Sequence, residues 1–365
     1  LDSLHLPETV QAVIRTRMDR LDREAQEVAR VASVIGREFD RRILSRTLTE
    51  KPKLTQLLET LRTSGIIQQI RVLPEAAYLF KHVLTQEVVY EGLLLHQRKA
   101  LHERAGKAIE ELYGDRIEEM LDRLMHHFSR AENWRKAVHY ARESSKRASK
   151  LSRFADASRI LEQSQSWLLK LPDDQSRREV LIDTLLELER TCETLGARER
   201  QQTIIHQLHE LLESTEDRAH LAEVYIREGE LQTQLGQFDN AERALERSLE
   251  IRRDLSDRVG ERNTLRSMGY LRWRQEEYEK AVALNEAALA INRQANDVEA
   301  MAIDLTNLGT AYKSLGANGQ ALEHLEEAIR LYETLGNPFQ RTYTLVITAN
   351  VYRDQGDNEK AMQYL

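Results

Sequence analysis

The chain contains a single cysteine and five prolines among its 365 residues, and aromatic residues make up only 6% of it. The lone Cys192 cannot form an internal disulfide, and the acidic Glu189 and Glu193 that flank it disfavour a thiolate nucleophile. No apolar run reaches the roughly 20 residues that span a bilayer, and the N-terminus lacks the layout of a signal peptide. We therefore expect a cytoplasmic protein without a membrane partner, and its composition favours helices.

The charge is distributed unevenly along the chain. Positions 1–114 hold 18 basic and 16 acidic residues, whereas positions 115–365 hold 35 basic and 44 acidic residues. An acidic surface repels the phosphate backbone of a nucleic acid, so the C-terminal part is not expected to bind one.

Four alanines recur at one spacing in the C-terminal part: Ala241, Ala281, Ala321 and Ala361. Twelve residues before them stand Gly229, Gly269, Gly309 and Ala349, and five residues before them stand Gly236, Glu276, Gly316 and Gly356. A 40-residue period with small residues at fixed places indicates stacked pairs of helices. The alanines and first glycines are predicted packing positions, and the second glycines are predicted turns.

Segments such as LTNLGTAYKSLGANGQALEHLEEAIRLYETLGNP, at positions 305–338, resemble tetratricopeptide repeats of a longer, 40-residue kind. The resemblance extends from Ala219 to Leu365 and implies an array that holds another molecule on a long concave face. Catalysis is not expected there, and we predict that the chain is not an enzyme.

The N-terminal part has a different pattern. Helices are predicted near positions 25–35, 41–48 and 54–64, and β-branched residues at 65–72 together with 78–80 predict a hairpin. Three helices and a two-stranded wing describe a winged-helix domain. The predicted fold is thus an all-α solenoid preceded by this small domain, with the winged helix at 1–95, linker helices and first degenerate repeats at 96–172, a degenerate repeat at 173–218 and regular repeats at 219–365.

Three runs of the N-terminal part stand out: LPETVQAVIRTRMDRLDREAQEVARVASVIGREFD, LLETLRTSGIIQ and YLFKHVLTQEVVYEGLLLHQRKALHERAGKAIE. Together they resemble the region that follows the ATPase core in bacterial STAND-type signalling ATPases, some of which carry a cyclase or kinase domain. The resemblance implies that the winged helix packs on a nucleotide-binding domain, and that the repeats sense a partner and release autoinhibition.

The sequence has no Gly-x-x-x-x-Gly-Lys-Ser/Thr loop that would cradle phosphates. No cofactor is therefore expected in this chain, and ATP or ADP is expected only with a nucleotide-binding domain elsewhere in a longer protein. In related switch ATPases a histidine of the winged helix reaches bound ADP, which makes His82 in Phe80-Lys81-His82 the candidate for a nucleotide contact. The alternative is a histidine at a helix cap.

Other sites are weakly indicated. A winged helix can read DNA through its third helix and wing, where Lys51, Lys53, Arg62 and Arg71 would lie, but the small positive charge argues against DNA binding. The pairs His126-His127 and His206/His209 have no further ligands at metal-binding spacing, so neither a metal site nor a catalytic site is predicted.

The concave face offers better candidates. In tetratricopeptide repeats the inner helix exposes fixed positions around its first small residue. These positions predict a partner-binding groove lined by Asn263, Arg266, Tyr270, Trp273, Lys313, Asn350 and Arg353, with Ile303, Thr306, Thr310, Tyr343 and Val346 alongside. Arginine and aromatic side chains suit an acidic or an aromatic peptide. The first repeat offers Glu223, Ile226, Glu230 and Thr233 instead. The alternative is that these residues are only solvated helix positions.

The sequence thus favours the regulatory arm of a STAND-type ATPase, which binds a protein or peptide and couples it to its own nucleotide-binding domain. A DNA-binding regulator that uses the winged helix and a plain interaction scaffold remain as alternatives.

Overall fold

The computed structural model describes residues 8–49, 53–73, 75–213 and 215–365. The chain forms two compact units, Leu1–Leu195 and Gly196–Leu365, which are described separately below. The boundary between them lies inside the segment 173–218. The four-part division into domains stays a prediction.

The first unit begins with a small mixed domain. Its elements are α1 (Glu8–Asp19), α2 (Arg23–Ile35), β1 (Glu38–Asp40), α3 (Arg41–Thr47), α4 (Leu54–Thr63), β2 (Ile67–Arg71) and β3 (Ala77–Phe80). The strands form an antiparallel sheet in the order β1-β3-β2. The expected hairpin is therefore present, but the sheet has three strands rather than two. Phe39 of β1 contacts the ring of Phe80 in the buried core, which explains why this short third strand joins the sheet.

The rest of the first unit is helical. It comprises α5 (Val83–Glu91), α6 (Leu95–Tyr113), a 3-10 turn (Gly114–Met120), α7 (Leu121–Arg130), α8 (Trp134–Lys150), α9 (Phe154–Leu168) and α10 (Gln175–Leu195). Positions 92–94 separate α5 from α6 and form a break in the helical backbone. Arg98 stabilises the break, because its Nε donates to the carbonyl of Leu93 at 2.9 Å and its Nη2 to that of Glu91 at 2.6 Å.

The second unit is an α-solenoid. It comprises α11 (Arg198–Leu212), α12 (Arg218–Gln234), α13 (Phe238–Asp254), α14 (Arg258–Arg274), α15 (Tyr278–Ala295), α16 (Val298–Ser314), α17 (Asn318–Thr334), α18 (Pro338–Asp354) and α19 (Asn358–Tyr364). From α12 onward the helices pack in antiparallel pairs. We call α12, α14, α16 and α18 the inner helices and the surface that they form together the inner face.

The small residues of the repeat have the predicted roles. Ala241, Ala281 and Ala321 are fully buried between helices. A Cβ atom on Gly309 would lie 2.6 Å from Cδ2 of Leu325, so only glycine permits this approach of α16 to α17. Gly316 has φ +80°, the left-handed conformation that the turn requires, and the non-glycine residue Glu276 adopts the same conformation with φ +62°. The packing and turn predictions are confirmed.

Candidate partner-binding face

The inner face is held together by side chains that reach from one inner helix to the next. Arg266 on α14 donates from Nε at 2.9 Å and from Nη2 at 2.7 Å to Oδ1 of Asp304 on α16, and Asn292 donates to Oδ2. Asp304 is fully buried. Burial raises the pKa of this carboxyl, and the Arg266 guanidinium opposes the rise. Arg266, a predicted binding residue, thus already has a carboxylate partner within the chain.

A second arginine of α14 supports this network. Arg262 donates from Nη1 to Oδ1 of Asn292 at 2.7 Å and to Oδ2 of Asp297 at 2.8 Å. It also donates to the side-chain oxygen of the predicted binding residue Asn263 at 3.2 Å. Positive charge on this part of α14 is therefore directed into the protein.

An aromatic pair continues along α14 towards its carboxyl end. The rings of Tyr270 and Trp273 stack with centroids 6.1 Å apart, and the indole Nε1 of Trp273 donates to Oγ of Ser314 on α16 at 2.9 Å. Trp273 is half-buried against the core of the array, whereas Tyr270 is 42% exposed. The ring of Tyr270 is therefore exposed to solvent. It stacks on Trp273, whose position is fixed by the hydrogen bond to Ser314.

The next two inner helices carry the remaining predicted residues. Nζ of Lys313 on α16 lies 2.9 Å from Oδ2 of Asp354 on α18, so this cation is also paired. Asn350 is partly exposed and Arg353 is exposed on α18. On the same helix Tyr343 is 56% exposed and Val346 is 42% exposed.

Two neighbouring candidates on α16 differ in exposure. Thr306 is buried and its hydroxyl lies 3.3 Å from that of Thr344, while Thr310 is partly exposed. Ile303 is also partly exposed and packs against the core of the array. Thr306 thus joins α16 to α18 and does not form part of the accessible surface.

The first repeat contributes less to the face than its sequence indicates. Ile226 and Thr233 are buried, so they do not line an accessible surface. Glu223 pairs with Arg252 at 3.2 Å, and Glu230 accepts a hydrogen bond from the Ser267 hydroxyl at 2.7 Å. These two carboxylates are also engaged within the chain.

His82, the candidate nucleotide contact, precedes α5 at its N-cap. Its carbonyl accepts from the backbone N–H of Thr85 at 3.0 Å, and its side chain makes no capping hydrogen bond and is exposed. The imidazole is thus accessible to a ligand or domain, and its role stays a prediction.

Two of the four basic residues considered for DNA binding are paired with carboxylates. Arg62 pairs with Glu59 at 2.6 Å, and Nη2 of Arg71 lies 3.7 Å from Oδ2 of Asp40. Lys53 stands before α4 and is exposed. Lys51 lies outside the described residues.

A buried histidine pair lies between α6 and α7. Nδ1 of His102 is 2.9 Å from Nδ1 of His127, and the Tyr90 hydroxyl is 3.1 Å from Nε2 of His102. Burial is the main cause that lowers the pKa of His102 to about 3, and it also lowers the pKa values of His127 and His126. The sequence singled out His126-His127 but not His102, because the pair forms only when two separate helices pack.

The other two histidines lie beside carboxylates. Nε2 of His206 lies 3.3 Å from Oε1 of Glu210, and Nε2 of His209 lies 2.9 Å from Oε2 of Glu228. Cys192 is buried. Within the part of the chain that the structure describes, no group of three or more histidine, cysteine or acidic side chains could hold a metal ion.

Sequence reasoning missed the internal partners of the face, Asp304, Ser314 and Asp354. A signal for the first exists in the 40-residue register, because Asp304 stands where the neighbouring repeats have Thr264 and Thr344. A charged residue at an otherwise conserved buried position indicates that a charged partner lies nearby.

The family model described as tetratricopeptide repeat matches residues 220–294 and 260–334. This segment of the second unit therefore consists of tetratricopeptide repeats. An uncharacterized protein of Rhizobium meliloti (strain 1021) is 31% identical over 154 residues, which are 42% of this chain and 15% of that protein. The matched segment thus spans about one-seventh of that relative's length.

Solved structures show the same fold at low identity. The Signal Transduction ATPase with Numerous Domains (STAND) protein with a tetratricopeptide repeat sensor from Pyrococcus horikoshii is 16% identical, with a TM-score of 0.51 over 95% of this chain and 56% of that one. A Rap protein complexed with Competence and Sporulation Factor is 17% identical, with a TM-score of 0.51 over 74% and 70%. Aspartyl phosphate phosphatase F from Bacillus subtilis is 13% identical, with a TM-score of 0.55 over 77% and 85%. At these identities the likeness is one of fold.

Across the described ranges, no helix combines the length and the apolar character that crossing a bilayer takes.

Proposed function

We propose that this chain is the sensor arm of a STAND-type signalling ATPase, and that it binds a protein or peptide on the inner face. In this proposal the N-terminal domain is a winged helix that couples the repeats to a nucleotide-binding domain of the same protein. The chain itself is non-catalytic and takes no cofactor.

The observation that carries the proposal is the inner face. Tyr270 on α14 and Tyr343 and Val346 on α18 expose apolar surface, and the amide of Asn350 on α18 is partly exposed. Exposed aromatic side chains that neighbouring residues hold in place are typical of protein interfaces. Repeat arrays use such extended surfaces to hold partners.

The order of elements in the first domain supports the coupling. A helix, a strand, two helices and a hairpin, with the first strand added to the hairpin, is the arrangement of a winged helix. The fold likeness to the sensor-bearing STAND protein from Pyrococcus horikoshii is consistent with this assignment. His82 lies just after the hairpin, exposed at the start of α5, where a bound nucleotide or a neighbouring domain can reach it.

The experiment uses the full-length protein and the isolated chain side by side. We expect ATP turnover and retained ADP in the full-length protein and neither in the isolated chain. His82→Ala should lower ADP retention and raise basal turnover, whereas Lys81→Ala, an exposed neighbour, should change neither. Micromolar ATP binding with turnover by the isolated chain, or a His82→Ala variant identical to wild type, would contradict the coupling.

A further inference from the structure

The cations on the inner face are mostly neutralised within the chain. Arg266 is paired with Asp304, Lys313 with Asp354 and Arg262 with Asp297. The Arg266 pair is inaccessible at its acidic end, because Asp304 is fully buried. A ligand carboxylate that takes the Nε and Nη2 donors of Arg266 has to displace Asp304, which would then be a buried charge without its cationic partner. That exchange is unfavourable.

Several accessible side chains between these pairs are uncharged. Tyr270, Tyr343 and Val346 expose between 42% and 56% of their surface. The partly exposed amides of Asn307 and Asn350 make no hydrogen bond to another described residue. An amide side chain offers both donors and an acceptor, which is the complement of a peptide group. The face thus offers apolar contact area together with neutral hydrogen-bonding groups.

Two arginines of the inner helices form no ion pair with another described residue: the partly exposed Arg274 on α14, which donates to the Tyr270 hydroxyl at 3.2 Å, and the exposed Arg353 at the carboxyl end of α18. Asp354 follows Arg353 in the chain. The pKa of the Asp354 carboxyl is lowered, first because Lys313 donates a hydrogen bond to it and also because the positive charge of Arg353 favours the ionised form. Arg353 therefore lies in the electrostatic field of the carboxylate that pairs with Lys313.

From this balance of charge we propose that the inner face takes an extended, uncharged peptide segment with aromatic or large aliphatic side chains. These side chains pack on Tyr270, Tyr343 and Val346, and the peptide groups of the segment hydrogen-bond to Asn307 and Asn350. This inference rests on the proposed partner-binding function and selects the aromatic class of ligand over the acidic one. Because no new ion pair forms, binding depends little on salt.

The test is selection of peptides from a random display library on the immobilised 365-residue chain, followed by affinity measurements at low and high sodium chloride. We expect uncharged peptides with aromatic or aliphatic residues, whose affinity changes less than about twofold with salt. Tyr343→Ala should weaken their binding about tenfold or more. Lys313→Ala and Arg353→Ala should change it less than about twofold.

The outcomes distinguish a failure of the proposed ligand class from a failure of the proposed partner-binding function. Acidic peptides that depend on Lys313 and Arg353 and weaken about tenfold at high salt would overturn the ligand class and leave the partner-binding function intact. No enriched peptide, or enriched peptides insensitive to Tyr270→Ala, Tyr343→Ala and Val346→Ala alike, would overturn both. Circular dichroism melts of these three variants exclude misfolding, which is not expected because the side chains are exposed.

Discussion

Arg266 and Asp304 form a two-donor ion pair between adjacent inner helices, with 2.7 Å between Nη2 and Oδ1. The corresponding residues one repeat later are Thr306 and Thr344, whose hydroxyls lie 3.3 Å apart. Arg266→Thr should lower the free energy of unfolding at pH 7 by about 3 kcal/mol, because it leaves the buried Asp304 without its cationic partner. The double variant Arg266→Thr/Asp304→Thr copies the later pair and should lie within about 1 kcal/mol of wild type.

Urea titrations as a function of pH provide the check. Because burial raises the pKa of Asp304, the folded state favours the protonated form of this carboxyl. The cost in folding free energy of burying the charged form therefore grows as pH rises above 3.8. The deficit of Arg266→Thr should therefore shrink as pH is lowered towards 3.8. The coupling would be contradicted if Arg266→Thr and Asp304→Thr changed the free energy of unfolding equally at all pH values and the double variant changed it by their sum.

Asn285 is a polar residue at a core position. It is buried, its Oδ1 has no hydrogen-bond partner, and the equivalent residues of the neighbouring repeats are Leu245 and Leu325. Asn285→Leu should raise the free energy of unfolding by about 1 to 2 kcal/mol, because it removes an unsatisfied buried oxygen. The reverse change Leu325→Asn is the matched control and should destabilise by about 2 kcal/mol or more. A loss of stability in Asn285→Leu would mean that the amide is required at this position.

Two glycines in adjacent helices test the close approach of α16 to α17. Gly309→Ala places a Cβ atom against Leu325 and should cost about 1 to 3 kcal/mol through overpacking. Gly319 has open space where its Cβ would stand and lies in the first turn of α17, so Gly319→Ala should be neutral or stabilise by up to about 1 kcal/mol. Thermal melts that shift equally for both variants would show that packing against Leu325 is not the cause.

The buried histidine pair predicts a pH dependence of stability. The pKa of His102 is lowered from 6.5 to about 3, so the folded state favours its neutral form. The stability that the folded protein gains from a neutral His102 is fully present above pH 6.5 and is lost as pH falls towards 3. His102→Gln cannot be protonated, so its free energy of unfolding should fall less steeply below pH 6.5, by up to about 1.4 kcal/mol per pH unit. His96→Gln, exposed on the same helix, should keep the wild-type slope.

Much of the fold follows from the sequence because its determinants are local and repeated. The alanine and glycine positions recur every 40 residues, and each has the same role in every repeat. The strand β1 was missed because three residues are too few to show a period. No local pattern marks the break between α5 and α6, because Arg98, the residue that caps it, lies beyond the break.

The sequence could place the candidate face, but it could not show which of the charged side chains on the face are paired within the chain. The repeat register puts Arg266 and Lys313 on inner helices, and only packing shows that Asp304 and Asp354 reach them from the next inner helix. These pairs span 38 and 41 residues, so no local pattern contains both partners. The distinction between an acidic and an aromatic ligand depends on this pairing.

The most direct test of the inner face as the binding surface is photo-crosslinking in cells that produce the full-length protein. The photoreactive p-benzoylphenylalanine replaces Tyr343 on the inner face in one strain and Lys280, an exposed residue of the outer helix α15, in another. We predict a specific crosslinked partner from position 343 that is lost when Tyr270→Ala is added, and none from position 280. A partner captured equally from position 280, or a crosslink at 343 that Tyr270→Ala leaves unchanged, would contradict the account.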